Sequence, residues 1–216
     1  MVHTKRHAMP KHWPVARKGT TFVVTPNHSP KKGVPILVVL RDMLKIAKNR
    51  KEVKKAMKDK SVLINNRPVR DEKNPALLYD TITLVPSKKA YRLVLALNGK
   101  FNLEEISEKE AHHKIAKVED KKILKGKKIQ INLSDGRNYI SEGKSSVNDS
   151  VVVEFKDKKI SKVLPLKEKA NVLVVAGKHA GKKGSIEKIM KERKMVKVKS
   201  EYEDLNILIK QIMVIE

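Results

Sequence analysis

The sequence contains no cysteine, which removes disulfides, cysteine zinc sites and thiol nucleophiles together and gives no reason to place the chain in an oxidising compartment. Aromatic residues are nearly as scarce. One Trp, four Tyr and three Phe are too few for an RNA-binding sheet that works by stacking several bases. Long apolar runs are also missing: the longest, Ile36 to Leu40, is far too short to cross a bilayer, and no signal-like stretch follows Met1. A cytoplasmic protein is expected. Residues 1–35 lack Asp and Glu altogether, so the cations of that segment have no local partners.

What the sequence has instead is positive charge. Lys and Arg number 49 against 24 Asp and Glu, a formal net charge of +25 that calls for a polyanionic partner. Only nine of the cations are Arg, so most contacts would be flexible point charges suited to phosphates rather than rigid forks.

The acid-free segment carries Lys5, Arg6, Lys11, Arg17, Lys18, Lys31 and Lys32 among five prolines and shows no apolar periodicity. It reads as a basic extended N-terminal arm, 1–35, that becomes ordered only against a polyanion. His3, His7, His12 and His28 invite a metal site, but the arm has no Cys or carboxylate and Pro10 and Pro14 oppose a helix. His7 and His12 near phosphates are the simpler reading, and no metal or cofactor is expected. Trp13 can stack on a base or fill a crevice of the protein, and a single aromatic favours the crevice.

Residues 36–90 read as a small module of helices and strands. Ile36, Leu37, Leu40, Met43, Leu44 and Ala47 recur at helical spacing and predict an amphipathic helix. A second helix starts at Asn49, a capping residue, with Glu52 placed to reach back to it. Val53, Ala56 and Met57 form its inner stripe and leave Arg50, Lys51, Lys54, Lys55 and Lys58 outside. Val62-Leu63-Ile64 then enters an Asn65-Asn66-Arg67-Pro68 turn, and Thr81-Ile82-Thr83-Leu84 returns as a strand.

Leu40-Arg41-Asp42, the basic second helix, Val62 to Asn66 and Asp80-Thr81-Ile82 resemble the RNA-binding module named after ribosomal protein S-four. Two positions that usually hold Gly in that module are Asn66 and Tyr79 here. The resemblance implies an RNA face that includes Arg41, Lys45, Arg50, Lys51, Lys54, Lys55, Asn65, Asn66 and Arg67.

From 91 to 167 short strands separated by Gly and Asp turns predict a middle β domain, beginning with a hairpin at Asn98-Gly99. Glu104, Glu105, Glu108 and Glu110 lie among basic residues and read as a solvated cluster rather than an acid–base pair. In residues 168–216 the strand Val172 to Val175 runs into Gly177-Lys178-His179-Ala180-Gly181-Lys182-Lys183-Gly184. This is no P-loop. Three residues rather than four separate Gly177 from Gly181, Lys183 stands where Ser or Thr would hold magnesium, and Met195 to Lys199 alternates as strand. The stretch resembles a KOW motif, which implies an SH3-like β-barrel with Lys178, His179, Lys182 and Lys183 at the loop tip.

The order of arm, module, β domain and barrel, with the opening His7-Ala8-Met9-Pro10-Lys11-His12-Trp13, resembles the e-type family of small-subunit ribosomal protein four. The early stop after the KOW segment points to its archaeal branch. The resemblance implies an α+β, multidomain, non-enzymatic constituent of the small ribosomal subunit. Its expected partners are ribosomal RNA and neighbouring ribosomal proteins, with no membrane and no small-molecule substrate. Lys5, Arg6, His7, Lys11, His12, Arg17 and Lys18 of the arm would join the RNA face. The rivals are a pseudouridine-synthase-type RNA-modifying enzyme and a KOW-containing transcription-elongation factor.

Overall fold

Short alternating stretches of Val, Ile and Leu between tight turns give this chain far more strand than helix, 43% of residues against 14%. The expected class was α+β and multidomain, and the fold is mostly β. A computed structural model describes residues 4–141, 145–190, 192–200 and 203–215. His3 lies outside the described residues. The chain forms two compact units, residues 1–96 with 100–112, and residues 97–99 with 113–216.

The first unit is built on a five-stranded antiparallel sheet, ordered Arg67–Pro68, Val62–Ile64, Thr81–Leu84, Lys89–Leu95 and Phe101–Ile106. Pro68 sits on the edge strand, where its missing N–H breaks no ladder. The hairpin of the last two strands forms as its Asn98-Gly99 turn predicts, closed by Ala96 N–H donating to Lys100 O. It was expected to open the middle domain. Instead Lys89–Leu95 pairs with Thr81–Leu84, because Tyr91, Leu93, Leu95, Phe101 and Leu103 present one continuous apolar face to this unit.

The first helix departs from its prediction. One α turn, Ile36–Val38, passes into a π turn, Val39–Met43, and Leu44 N–H reaches back to Val39 O. Ile36 to Leu40 are all buried, so the segment is a core plug rather than a two-faced helix. The chain leaves it at Lys45, whose φ of 55° ends the helical course. The second helix, Arg50–Lys58, follows prediction closely. Asn49 Oδ1 accepts from Glu52 N–H at 3.0 Å, and Glu52 reaches back as expected, its Oε1 accepting from the Asn49 side-chain amide at 2.9 Å and its Oε2 from Lys48 N–H at 2.7 Å.

The arm is a correction. Expected to gain order only with RNA, it folds on itself, with Thr4–Lys5 paired to Phe22–Val23, and is pinned to its own unit by the pairing of Gly33–Pro35 with Pro75–Leu77 and by Phe101 N–H on His12 O at 2.9 Å; Trp13 is 1% exposed. The indole N–H of Trp13 is satisfied by Gly33 O at 3.0 Å and Pro30 O at 3.2 Å. The buried ring with its paired N–H contributes apolar burial that composition alone did not reveal.

The second unit holds two antiparallel five-stranded sheets. One runs Asn138–Ser141, Ile129–Leu133, His113–Ile123, Ser150–Glu154, Lys159–Leu164; the other runs Asp204–Leu208, Met195–Ser200, Lys183–Met190, Asn171–Val174, Ile212–Val214. Val151, Val152 and Val153 are consecutive and buried because their strand is covered on both faces. Val151 and Val153 join Ala116, Val118, Ile131 and Leu133. Val152 joins Val172, Val174, Ile186 and Val196 in the core of the KOW sheet. The middle and C-terminal segments thus share an apolar core.

Two polar side chains on that shared face fasten the sheets. Lys117 Nζ donates to Ile209 O at 2.5 Å and Ile212 O at 2.8 Å, and Ser150 Oγ accepts from Val214 N–H at 3.0 Å. Burial pushes the Lys117 ammonium down to about 8.

Candidate nucleic-acid interface

A cation can reach phosphate only if nothing in its own chain holds it, so partners decide which predicted residues remain available. The second helix divides into two stripes. Arg50 is bound to Glu72, with Nε–H donating at 2.7 Å and Nη2 also on the same oxygen, while Lys54 lies 3.9 Å from it. Glu72 is buried, with its side chain 3% exposed, and this hydrogen bond raises the Arg50 pKa. Arg50 therefore neutralises a buried carboxylate and braces the helix. Lys51, Lys55 and Lys58 follow at spacings of four and three, so they form a second exposed stripe, and among the described residues none of the three is in an ion pair.

Arg41 is likewise engaged. Its Nε and Nη2 groups donate to Asp42 Oδ1 at 3.0 Å and Oδ2 at 2.8 Å, a two-pronged pair that also raises the Arg41 pKa. Lys45, just beyond it, is exposed. In the turn after Ile64, Asn65 is buried rather than RNA-facing: its Nδ2–H donates to Asp80 Oδ1 at 2.8 Å and its Oδ1 accepts from Thr81 N–H at 3.0 Å. Asn65 and Asp80-Thr81, separate in the sequence, are thus one buried clamp. Asn66 is exposed, with its amide on His112 Nδ1 at 2.7 Å, and Arg67 beside it is exposed.

In the arm, Arg6 serves structure. Its fork donates to Thr20 O at 2.7 Å, Ala16 O at 2.6 Å and Thr20 Oγ1 at 2.8 Å, closing the loop that carries Lys11, Arg17 and Lys18. His12 is also turned inward. It meets the Phe101 ring edge-on at 5.1 Å, and burial lowers its pKa despite a backbone hydrogen bond to Pro30. Lys5, His7, Lys11, Arg17 and Lys18 remain exposed.

The acidic residues behave as a solvated cluster. Glu105 pairs with Lys89 at 3.1 Å and Glu110 lies 3.7 Å from Arg92, both largely exposed.

The glycine loop of the second unit turns where its glycines permit it. Gly177 and Gly181 have φ of 94° and 93°, and Gly181 N–H donates to Val174 O at 2.8 Å. A Cβ on Gly184 would stand 2.4 Å from Lys199 O, so this position requires glycine for close strand approach. Lys178 and Lys183 are exposed, whereas Lys182 donates to Glu203 at 2.5 Å and His179 Nδ1 lies 3.7 Å from the same carboxylate. Sequence reasoning had no signal for that contact because Glu203 belongs to a later strand connection.

With this geometry in place, similarity to known proteins puts the chain in the class of ribosomal proteins that carry a KOW element. Residues 168–199 match the KOW motif, and residues 87–160 match the ribosomal family S4e. The small ribosomal subunit protein eS4 of Methanocella arvoryzae is 36% identical over 190 residues, spanning 87% of this chain and 80% of the relative. That of Nanoarchaeum equitans is 35% identical over 193 residues, 88% of this chain and 82% of the relative. The crystal structure of the 30S ribosomal protein S4e from Thermoplasma acidophilum superposes with a TM-score of 0.74 at 27% identity, covering 85% of this chain and 95% of that one. The chain belongs to the eS4 family of small ribosomal subunit proteins. This is a family of ribosomal proteins and not of enzymes, and neither the RNA-modifying nor the transcription-factor alternative finds support in it.

Proposed function

We propose that this protein is a structural constituent of the small ribosomal subunit, bound directly to ribosomal RNA and to neighbouring ribosomal proteins in the cytoplasm, and that it supports translation and subunit assembly. The observation that carries this is family membership over nearly nine-tenths of the chain. The net charge of +25 supplies the physical complement, since each phosphate neutralised by a lysine releases condensed counterions.

The residues that fit this reading are, in the first unit, Lys51, Lys55 and Lys58 on the second helix, Lys45 after the π turn, Arg67 on the edge strand and Lys5, His7, Lys11, Arg17 and Lys18 on the arm, and, in the second unit, Lys178 and Lys183 on the glycine loop. Most of these are single charges, which suits backbone contact and positioning rather than base readout. The layout that accompanies it is an arm, an S-four-like module, a β segment and an SH3-like KOW barrel. Sedimentation of cell extract with antibody detection tests the assignment. The protein should travel with the small subunit at low salt and leave it at high salt; sedimentation with RNA polymerase instead would contradict the reading.

A further inference from the structure

The first unit contains a cleft of about 220 Å³ lined by Pro14 of the arm, Asp42, Met43 and Leu44 at the π turn, and Tyr91, Phe101, Asn102 and Leu103 of the terminal hairpin. We infer that this cleft receives a single unstacked RNA base. The inference rests on the RNA-binding reading above and adds a base contact to a surface otherwise argued from phosphates.

The walls have the chemistry that a base requires. Tyr91 and Phe101 lie on the same face of adjacent strands and supply rings, while Pro14 and Leu103 supply flat or branched apolar cover. Two of the seven Tyr and Phe side chains of the whole sequence line this one cleft, in a chain whose composition argues against a broad stacking surface. Phe101 is held in place by the edge of His12 and by its own N–H on His12 O at 2.9 Å, so this wall is set before any ligand arrives.

The π turn supplies one polar group. Its wide closure, Leu44 N–H to Val39 O, accompanies the placement of Asp42, Met43 and Leu44 along the cleft, and such turns concentrate at functional sites in proteins generally. Asp42 receives two donors from Arg41, which compensates its charge and leaves two further lone-pair positions on the carboxylate. Asp42 can accept from the amino group of a base, and the amide of Asn102, which also lines the cleft, can donate to a base carbonyl, so either kind of base edge finds a partner there. Lys45 follows the π turn directly, and Lys11, Arg17 and Lys18 flank Pro14 in the arm, so cations for the flanking phosphates stand on both sides in sequence.

Binding of the full-length protein to RNA hairpins carrying one bulged nucleotide tests this, with an unbroken hairpin as reference. A hairpin with a bulged nucleotide should bind about tenfold more tightly than the unbroken hairpin. Fluorescence of a bulged 2-aminopurine should fall on binding as the base stacks. Tyr91→Ala and the cleft-filling Leu103→Trp should each abolish the preference while affinity for the unbroken hairpin and cooperative unfolding persist, and Asp42→Asn should reduce it. Equal affinity of wild-type protein for all the hairpins, or an equal loss on every RNA in both variants, overturns the inference. So does Leu103→Trp protein that keeps the preference but fails to join the small subunit, which would give the cleft to a neighbouring protein. Wild-type protein that binds none of these RNAs in a salt-dependent way fails the broader reading, and the inference falls with it.

Discussion

Lys117 is a buried cation whose two hydrogen bonds go to main-chain carbonyls rather than to a carboxylate. Its pKa of about 8 in the fold, against 10.5 for the free side chain, fixes the sign of a stability effect. Between those values the unfolded chain binds more protons than the folded one, so this group adds stability as pH rises from about 8 to 10.5, by at most about 3 kcal/mol. Chemical denaturation across that range should show the rise in wild-type protein and a flatter curve in Lys117→Met. The comparison between the two is the test, because Tyr79, pushed up to about 12 by burial, acts in the opposite direction above pH 10 in both proteins. At the same scale, Arg50 and Lys51 are neighbours with different tasks. Arg50→Ala strands the buried Glu72 carboxylate and should cost about 2 kcal/mol of stability. Lys51→Ala should stay within about 0.5 kcal/mol of wild type while weakening RNA binding. Equal unfolding midpoints for the two variants would remove the distinction.

Among the elements, those with local causes were the legible ones. The second helix could be read because Asn49, Glu52 and the Val53/Met57 stripe lie within one short segment, and the Asn98-Gly99 hairpin because its turn chemistry is local. The first helix was legible only as helix. Periodicity reports neither the enclosure of Ile36 to Leu40 on every side nor the widening from an α to a π turn. Arg6, Arg50 and Lys182 looked available in the sequence because their partners Thr20, Glu72 and Glu203 carry no motif and, for Arg50 and Lys182, lie 22 and 21 residues away; Arg41 looked available because a neighbouring Asp42 does not by itself announce a two-pronged pair. Asn66 and Tyr79, which occupy positions where the resembled module usually has Gly, have φ of 60° and 62°. Both turns thus keep a backbone conformation that favours glycine while using other residues. In the KOW element the requirement at Gly184 is steric, so Gly184→Ala should destabilise the second unit by about 2 kcal/mol, with Lys199 and Val198 forced apart from it. Urea unfolding of that variant with an unchanged midpoint would show that the strands yield without cost.

For the molecule as a whole, the positive charge outlasts the internal pairing. Several carboxylates are committed inside the fold, among them Asp42, Glu72, Asp135 and Glu203, and exposed lysines remain on both units. Folding therefore sorts the cations into those that build the fold and those left for a polyanion. The arm belongs to both groups, with Trp13 and Arg6 inward and Lys11, Arg17 and Lys18 outward. Brief proteolysis of the free protein should accordingly spare the Trp13 segment, and preferential cutting there would restore the picture of an arm ordered only by RNA. The central claim, that a dispersed set of unpaired lysines binds the protein to RNA phosphates, is tested most directly by the salt dependence of its affinity for small-subunit ribosomal RNA. In a plot of log affinity against log salt, Lys51→Ala/Lys55→Ala/Lys58→Ala should have a shallower slope than wild type by about 0.7 to 0.9 for each phosphate that the variant no longer neutralises. The same slope in both proteins would contradict the assignment of that helix to the RNA face, and a wild-type affinity indifferent to salt would contradict electrostatic binding altogether.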